Sequence, residues 1–485
     1  MNNNSKKIAS GMFWKMGERF FAQGVSFLIS LVLARILSPD DYGVIAMILV
    51  FINLANVFVS NGFSVALIQK KDADELDFST MFYCSFFISI IIYLVLFIFS
   101  PLIGDFYKHD SLSVLLRVLG LKLIINSINS IQHAYISRKM EFKKFFYSTS
   151  IGTFISAIAG IYMAYHGFGA WALVAQYLIN SIIDTIVLLI TVDWKPKFVF
   201  SKERAINLLG FGWKVTLADF VATAYNEMRS LVIGRYYTSA DLAYYNKSEQ
   251  FPKLFVNNIM TTVSSVLFPA LADVSDEKEK IRNMTRTAIR MTCYIIFPIM
   301  VGMIIISTPL VRLLLTDKWL PVVPYLQITC ISYAILPLNN TNVQAIKAMG
   351  EGSTYLRIEL LKKVFGIVII FLAARISVMA VAVSAVVIAF IYLMINIIPN
   401  GKILDYGLRK QMKDIFPSFM ASIFMGFIGL VVARFLNCSD LMIIAIEVIV
   451  CTFVYGIISY VFGFKEFKMI TDLITNIKKR GKKCE

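Results

Sequence analysis

Leu33-Ala34-Arg35-Ile36-Leu37-Ser38-Pro39-Asp40-Asp41-Tyr42-Gly43 closes a segment that opens at Trp14-Lys15. The segment recurs later in the chain as Trp213-Lys214, then Gly234-Arg235, then Thr238-Ser239-Ala240-Asp241. Phe20 aligns with Phe220, Arg35 with Arg235 and Asp41 with Asp241, with a slip of one residue near the start. Each copy heads a run of hydrophobic spans and places ionisable side chains inside a stretch long enough to cross a bilayer. Such a duplication is the mark of a two-lobed transporter with its substrate path between the lobes.

Composition agrees. Of 485 residues, 58% are hydrophobic and 16% charged, against about 45–50% and 25% in soluble domains. Windows of about 20 apolar residues occur roughly 14 times along the chain. Lys6 and Lys7 precede a long first segment without an early small-residue cleavage site, which predicts an uncleaved first helix.

The net charge of +16 is spread over short loops and the tail. No compact basic domain is there to hold nucleic acid, so none is expected as a partner. Cations concentrate on alternate loops: Lys70 and Lys71, Arg138 to Lys144, Lys195 to Arg204, Lys278 to Arg282, Lys402 to Lys413, and Lys478 to Lys483. The intervening loops hold Lys108, Lys318 and Arg375 as isolated cases. This alternation predicts a multi-pass membrane protein with both termini cytoplasmic. The six cysteines show no CxxC, and the three histidines no ligand spacing, so neither a metal nor another cofactor is expected.

The expected fold class is all-α. Residues 1–195 form an N-terminal six-helix lobe, 196–212 a cytoplasmic linker or interfacial helix, and 213–400 a second six-helix lobe. Two further transmembrane helices occupy 401–464, and 465–485 form a basic cytoplasmic tail. Within 196–212, Ser201 would cap a short helix over Ser201–Leu209 lying in the membrane interface, or the stretch is a plain linker. The tail reads as an orientation signal or as a contact for anionic lipid.

Charges inside a bilayer are costly and need a reason. Lys15, Glu18 and Arg19 share one face of the first helix, where Lys15 and Arg19 either line a cavity or form structural ion pairs. The helix after the linker has Lys214, Asp219, Glu227 and Arg229, with Asp219, Thr223 and Asn226 in one polar stripe. Glu227 flanks that stripe and either serves transport or joins Arg229 in a satisfied internal network. Asn53, Asn56, Asn61, Asn257 and Asn258 hydrogen-bond between helices or touch ligand. Asp184 is a lone acid suited to proton coupling, Glu447 a structural one, and Lys122 a base with no partner evident from sequence. Prolines such as Pro298, Pro309 and Pro337 predict bent helices.

No phosphate-binding GxxxxGK[ST], GxSxG or HExxH occurs, so neither a built-in ATPase nor a hydrolase is expected. Energy must then come from an ion gradient, the membrane potential or consumption of the product.

The motifs taken in order are similar to those of the bacterial Wzx-type polysaccharide flippases, closest to their colanic-acid exporter branch. They are the stretch Leu33–Gly43, Arg138-Lys139-Met140-Glu141-Phe142-Lys143, and Gly167-Phe168-Gly169-Ala170-Trp171-Ala172-Leu173-Val174. Gly234-Arg235-Tyr236-Tyr237 with Tyr244-Tyr245-Asn246, Phe268-Pro269-Ala270-Leu271, and Lys318-Trp319 ahead of Pro324 follow. The resemblance implies the fold of the multidrug/oligosaccharidyl-lipid/polysaccharide exporters, with two six-helix bundles and two added helices. It also implies transfer of an undecaprenyl-pyrophosphate-linked repeat unit from the cytoplasmic to the periplasmic leaflet. A polysaccharide polymerase and a chain-length regulator are the protein partners it suggests, beside membrane lipid.

On this reading Lys15, Arg19, Lys214 and Arg229, with Asn53 and Asn257, line a polar cationic cavity that accepts the pyrophosphate. Asp219, Glu227, Glu18 and Asp184 are the candidates for ion coupling. The alternatives are a drug or metabolite exporter of the same fold, which the loop motifs disfavour, and a membrane polymerase or glycosyltransferase. The latter would need sizeable outward loops bearing acids or arginines, and these loops are short.

Overall fold

The computed structural model describes the backbone of residues 3–481, apart from 275 and 437. Side chains are described for Trp14, Gly17 and residues 21–475, apart from 61, 211, 275, 437, 473 and 474. Among the described residues every element is a helix, with no strand. It divides into two compact units, Met1–Ala243 and Tyr244–Glu485.

The first unit holds α1 Asn3–Ile36, α2 Pro39–Gln69, α3 Glu75–Tyr107, α4 Leu112–Lys139, α5 Phe142–Tyr165, α6 Ala170–Thr191 and α7 Lys202–Tyr236. Their boundaries follow from local chemistry. Ser38 caps α2 and Asp74 caps α3, each in a reciprocal box with the residue three positions on, Asp41 and Asp77. Lys108 and Met140 end α3 and α4 in left-handed conformation, at φ 56° and 58°.

Helix α7 heads the second sequence repeat, yet it packs against α2 and α3. The α2–α7 approach is backbone to backbone: a Cβ on Gly62 would stand 2.0 Å from Thr216 Oγ1 and 2.8 Å from the Gly212 carbonyl oxygen. Small residues serve this purpose in membrane helices, where apolar burial does not distinguish a neighbour from lipid. Ser201 does cap α7, and the first part, Lys202–Gly210, is bent 44° from Gly212–Tyr236.

One end of this unit is tied by charge. Asp77 is fully buried and takes Lys70 Nζ at 2.7 Å, and Arg204 reaches both Asp74 and Asp77. Arg138 caps the end of α2 through the carbonyls of Leu67, Lys70 and Lys71. Beneath them Phe63, Leu67, Phe78, Met81, Leu188 and Trp194 form an apolar core.

The second unit holds α8 Ser239–Ala272, α9 Lys278–Ile305, α10 Ser307–Leu315, α11 Val322–Ala348, α12 Gly352–Ala374, α13 Val378–Ile403, α14 Leu408–Phe435, α15 Asp440–Val461 and α16 Lys465–Gly481. Buried amides bind its helices together. Asn342 of α11 and Gln411 of α14 exchange two hydrogen bonds of 2.9 Å, and Asn400 of α13 donates to Asn342 Oδ1 at 2.9 Å. Arg286 of α9 grips Asp414 with both arms, at 2.6 and 2.7 Å. Arg290 holds Glu466, at the start of α16, at 2.5 Å.

Eleven of the described helices are long and apolar enough to cross a membrane, and the bent α7 makes a twelfth. In α1 the described apolar stretch is Phe21–Ile36, and α12 is interrupted by Arg357, Glu359, Lys362 and Lys363. The chain is therefore a multi-pass membrane protein.

Candidate functional site

Within the first unit, α2, α4 and α6 line an open polar cavity of about 570 Å³, with Asp219 of α7 on its wall. Helix α4 supplies the largest share of its lining. Lys122, Asn126, Asn129, His133 and Ser137 recur at spacings of three and four, so they share one face. Asn126 Nδ2 donates to Asn56 Oδ1 at 2.9 Å, and Ser64 Oγ to the Ser130 carbonyl at 2.9 Å, tying α4 to α2. Asn129 Nδ2 donates to Asp184 Oδ2 of α6 at 3.0 Å, and His133 Nε2 lies 3.7 Å from that oxygen. Asn129 Oδ1 and Asp184 Oδ1 are buried and have no hydrogen-bond partner among the described residues. The partner of Lys122 is the Tyr177 ring, 5.0 Å from its ammonium.

A second cavity, about 650 Å³, lies between α2, α3 and α7 and is almost wholly apolar, with Phe51, Phe58, Ile92, Leu96, Trp213 and Phe220 on its walls. Helix α2 therefore turns amides and hydroxyls to one cavity and aromatic rings to the other.

The residues singled out from sequence fall in several places. The side chains of Lys15, Glu18, Arg19 and Asn61 lie outside the described residues, as do the tail cations 478–483. Asn53 Nδ2 donates to Glu227 Oε1 at 2.9 Å, so two of the candidates meet each other across α2 and α7. Asp184 and Asp219 both face the polar cavity. Lys214 is exposed, Arg229 is half-buried, and Asn257 lies in the second unit on α8, half-buried. Glu447 is buried, 3.9 Å from Cys451 Sγ. Among the described residues no cluster of acids, histidines and cysteines could hold a metal.

Sequence reasoning passes over Asn126, Asn129, His133 and Asn180. The signal is there, since the stripe test applied to Asp219, Thr223 and Asn226 also picks out α4 from Lys122 to Ser137. Their cavity is rich in amides, and Lys122 is its one cation among the described residues.

A helical protein with this many spans and a polar cavity among its helices has the build of a membrane transporter. Solved structures agree on the fold. The chain superposes on the lipid II flippase MurJ in an inward closed conformation with a TM-score of 0.77, at 17% identity, covering 93% of this chain and 98% of that one. An inward-facing MATE multidrug transporter of the MOP superfamily follows at TM-score 0.61 and 15% identity, covering 81% and 95%. The fold is thus the one these two transporters share.

The family model described as "Polysaccharide biosynthesis protein" matches residues 32–324, more than half of the chain, which therefore belongs to that family. Curated relatives include the succinoglycan biosynthesis transport protein ExoT of Rhizobium meliloti, 23% identical over 72% of this chain and 71% of its own length. The lipopolysaccharide biosynthesis protein WzxC of Escherichia coli is 25% identical over 67% of each. The teichuronic acid biosynthesis protein TuaB of Bacillus subtilis is 25% identical over 61% of this chain and 62% of its own length.

Proposed function

We propose that this protein flips lipid-linked oligosaccharide repeat units from the cytoplasmic to the outer leaflet of the bacterial inner membrane, where a polymerase extends them. The observation that carries the reading is the polar cavity among α2, α4 and α6 in a chain of the polysaccharide biosynthesis family. A hydrophilic head crosses a bilayer only where side chains replace its water, while the polyprenyl tail stays in lipid. Alternating access of two lobes, 1–195 and 213–400, carries the head across, and the further helices of 401–464 bring the spans to fourteen.

In this scheme Lys15, Arg19, Lys214 and Arg229 balance the pyrophosphate, and Asn53 and Asn257 touch the head. Asp219, Glu227, Glu18 and Asp184 are where a proton or sodium ion would couple. Both termini lie in the cytoplasm, where the cationic loops are retained. The polymerase and the chain-length regulator are the protein partners.

The test uses the purified chain in proteoliposomes loaded with a polyprenyl-pyrophosphate-linked oligosaccharide. Flipping exposes the sugar to an added membrane-impermeant lectin at a rate set by the protein. Equal rates in protein-free vesicles would end this reading.

A further inference from the structure

The cavity of α2, α4 and α6 has an electrostatic character of its own. Asp184 accepts the Asn129 amide N–H at 3.0 Å, and this contact sets which way the amide points, because a carboxylate oxygen repels a carbonyl oxygen. Asn129 Oδ1 must then face away, and among the described residues neither it nor Asp184 Oδ1 has a hydrogen-bond partner. Asn129 is 6% exposed, so its free acceptor is withdrawn from water. A buried acceptor left unpaired is costly, and two beside one cavity call for a ligand that donates.

A pyrophosphate ionised at neutral pH offers only acceptors and would face these oxygens oxygen to oxygen. Lys122, the cation on the wall, already lies over the Tyr177 ring. A sugar hydroxyl both donates and accepts, and its neighbours here do the same: Asn126, Asn180 and Ser64 line the same space. The Phe145 ring, 4.5 Å centroid to centroid from His133, adds an apolar surface beside the polar groups. The volume, about 570 Å³, is that of a site for a small ligand.

We infer that this cavity is a carbohydrate subsite, in which the free acceptors of Asn129 and Asp184 accept hydrogen bonds from the hydroxyls of a sugar of the translocated head. The inference rests on the flippase reading and divides the head in two: the sugar is read by amides of α4 and α6, and the pyrophosphate is held elsewhere.

The test uses the full chain in lipid nanodiscs and two probes, polyprenyl pyrophosphate bearing one N-acetylhexosamine and bare polyprenyl pyrophosphate. Asn129→Leu keeps the volume and removes both polar atoms. Asp184→Asn keeps the shape and changes the acceptor, which guards against a variant that fails to fold. Each weakens binding of the sugar-bearing probe about tenfold or more and changes binding of the bare probe less than about twofold. Equal losses for both probes, or no loss for either, overturn the subsite and leave the flippase reading standing. So does a cavity occupied by sodium alone, seen as sodium-dependent thermal stabilisation that Asp184→Asn abolishes while sugar binding persists. Failure of wild-type protein to bind either probe overturns both readings.

Discussion

Ser239 Oγ donates a hydrogen bond to Asp40 Oδ1 at 2.7 Å, so the two copies of the repeated segment hold each other. Each copy carries the same cap. Ser38 and Asp41 exchange bonds of 3.0 and 3.2 Å at the start of α2, and Thr238 and Asp241 exchange bonds of 3.2 and 3.1 Å at the start of α8. Gly43 makes the approach possible, because a Cβ there would stand 1.8 Å from the Ser239 carbonyl oxygen.

Gly43→Ala therefore forces the two loops apart. Overpacking against backbone costs about 1–3 kcal/mol, so the variant melts at a lower temperature in detergent than wild type. Ser239→Ala removes only the hydrogen bond and shifts the melting point less. Equal melting of Gly43→Ala and wild type would contradict the close approach.

Ser38→Ala and Thr238→Ala each delete one cap and each cost about 1 kcal/mol. The two losses are similar in size because the geometry is duplicated. Unfolding midpoints of the single variants check this, and an effect in one copy alone would show that the caps are not equivalent.

Glu227 bonds Asn53 at 2.9 Å across α2 and α7. Glu227→Gln keeps an acceptor for Asn53 and loses the charge. If Glu227 couples an ion, the variant retains its melting temperature and loses the pH dependence of flipping in proteoliposomes. An unchanged pH profile marks Glu227 as a structural tie between the two helices.

Asp74 lies outside the membrane-spanning segments, and the Arg204 guanidinium, followed by the Asp77 backbone N–H, holds its carboxyl at about 2, below its usual 3.8. A carboxyl depressed on folding adds stability that is fully present above its unfolded value and is lost as pH falls toward the folded one. The acid-side loss between about pH 4 and 2 is accordingly shallower in Asp74→Asn than in wild type. Thermal melts across that range check it, and parallel curves would speak against the pairing.

Arg290 and Glu466 clip α16 to α9 at 2.5 Å, with Glu466 buried. Removing one partner of a buried pair strands the other at a cost of about 3–5 kcal/mol. Arg290→Ala thus frees α16, and limited proteolysis cuts it at protease concentrations that spare wild type. The doubly neutral Arg290→Met/Glu466→Met variant recovers part of the protection.

Much of the architecture is legible in the sequence. The helix caps at Ser38, Asp74 and Ser201 use side chains within three residues of the backbone they satisfy. The glycines at 167 and 169 have φ of 78° and 53° in the turn between α5 and α6, where the motif Gly167–Val174 predicts a hairpin. The candidate site is less legible. Asp184 stands out by its charge, but the residues that define its surroundings, Asn129 and His133, become conspicuous only once α4 faces α6.

By itself the sequence determined that the chain is a helical, duplicated, multi-pass membrane protein, because lipid imposes apolar length and local capping on each span separately. Which faces meet was decided by the tertiary structure alone. It set Lys122 against Tyr177, Asn53 against Glu227, and α7 in the unit of the first six helices. Inside a bilayer an apolar face is equally at home against lipid or protein, so the hydrophobic pattern of one helix does not name its neighbour. Close approach at Gly62 and Gly212 and the pairing of distant polar groups name it instead. Those are properties of two helices together, and they exist only once the chain has packed.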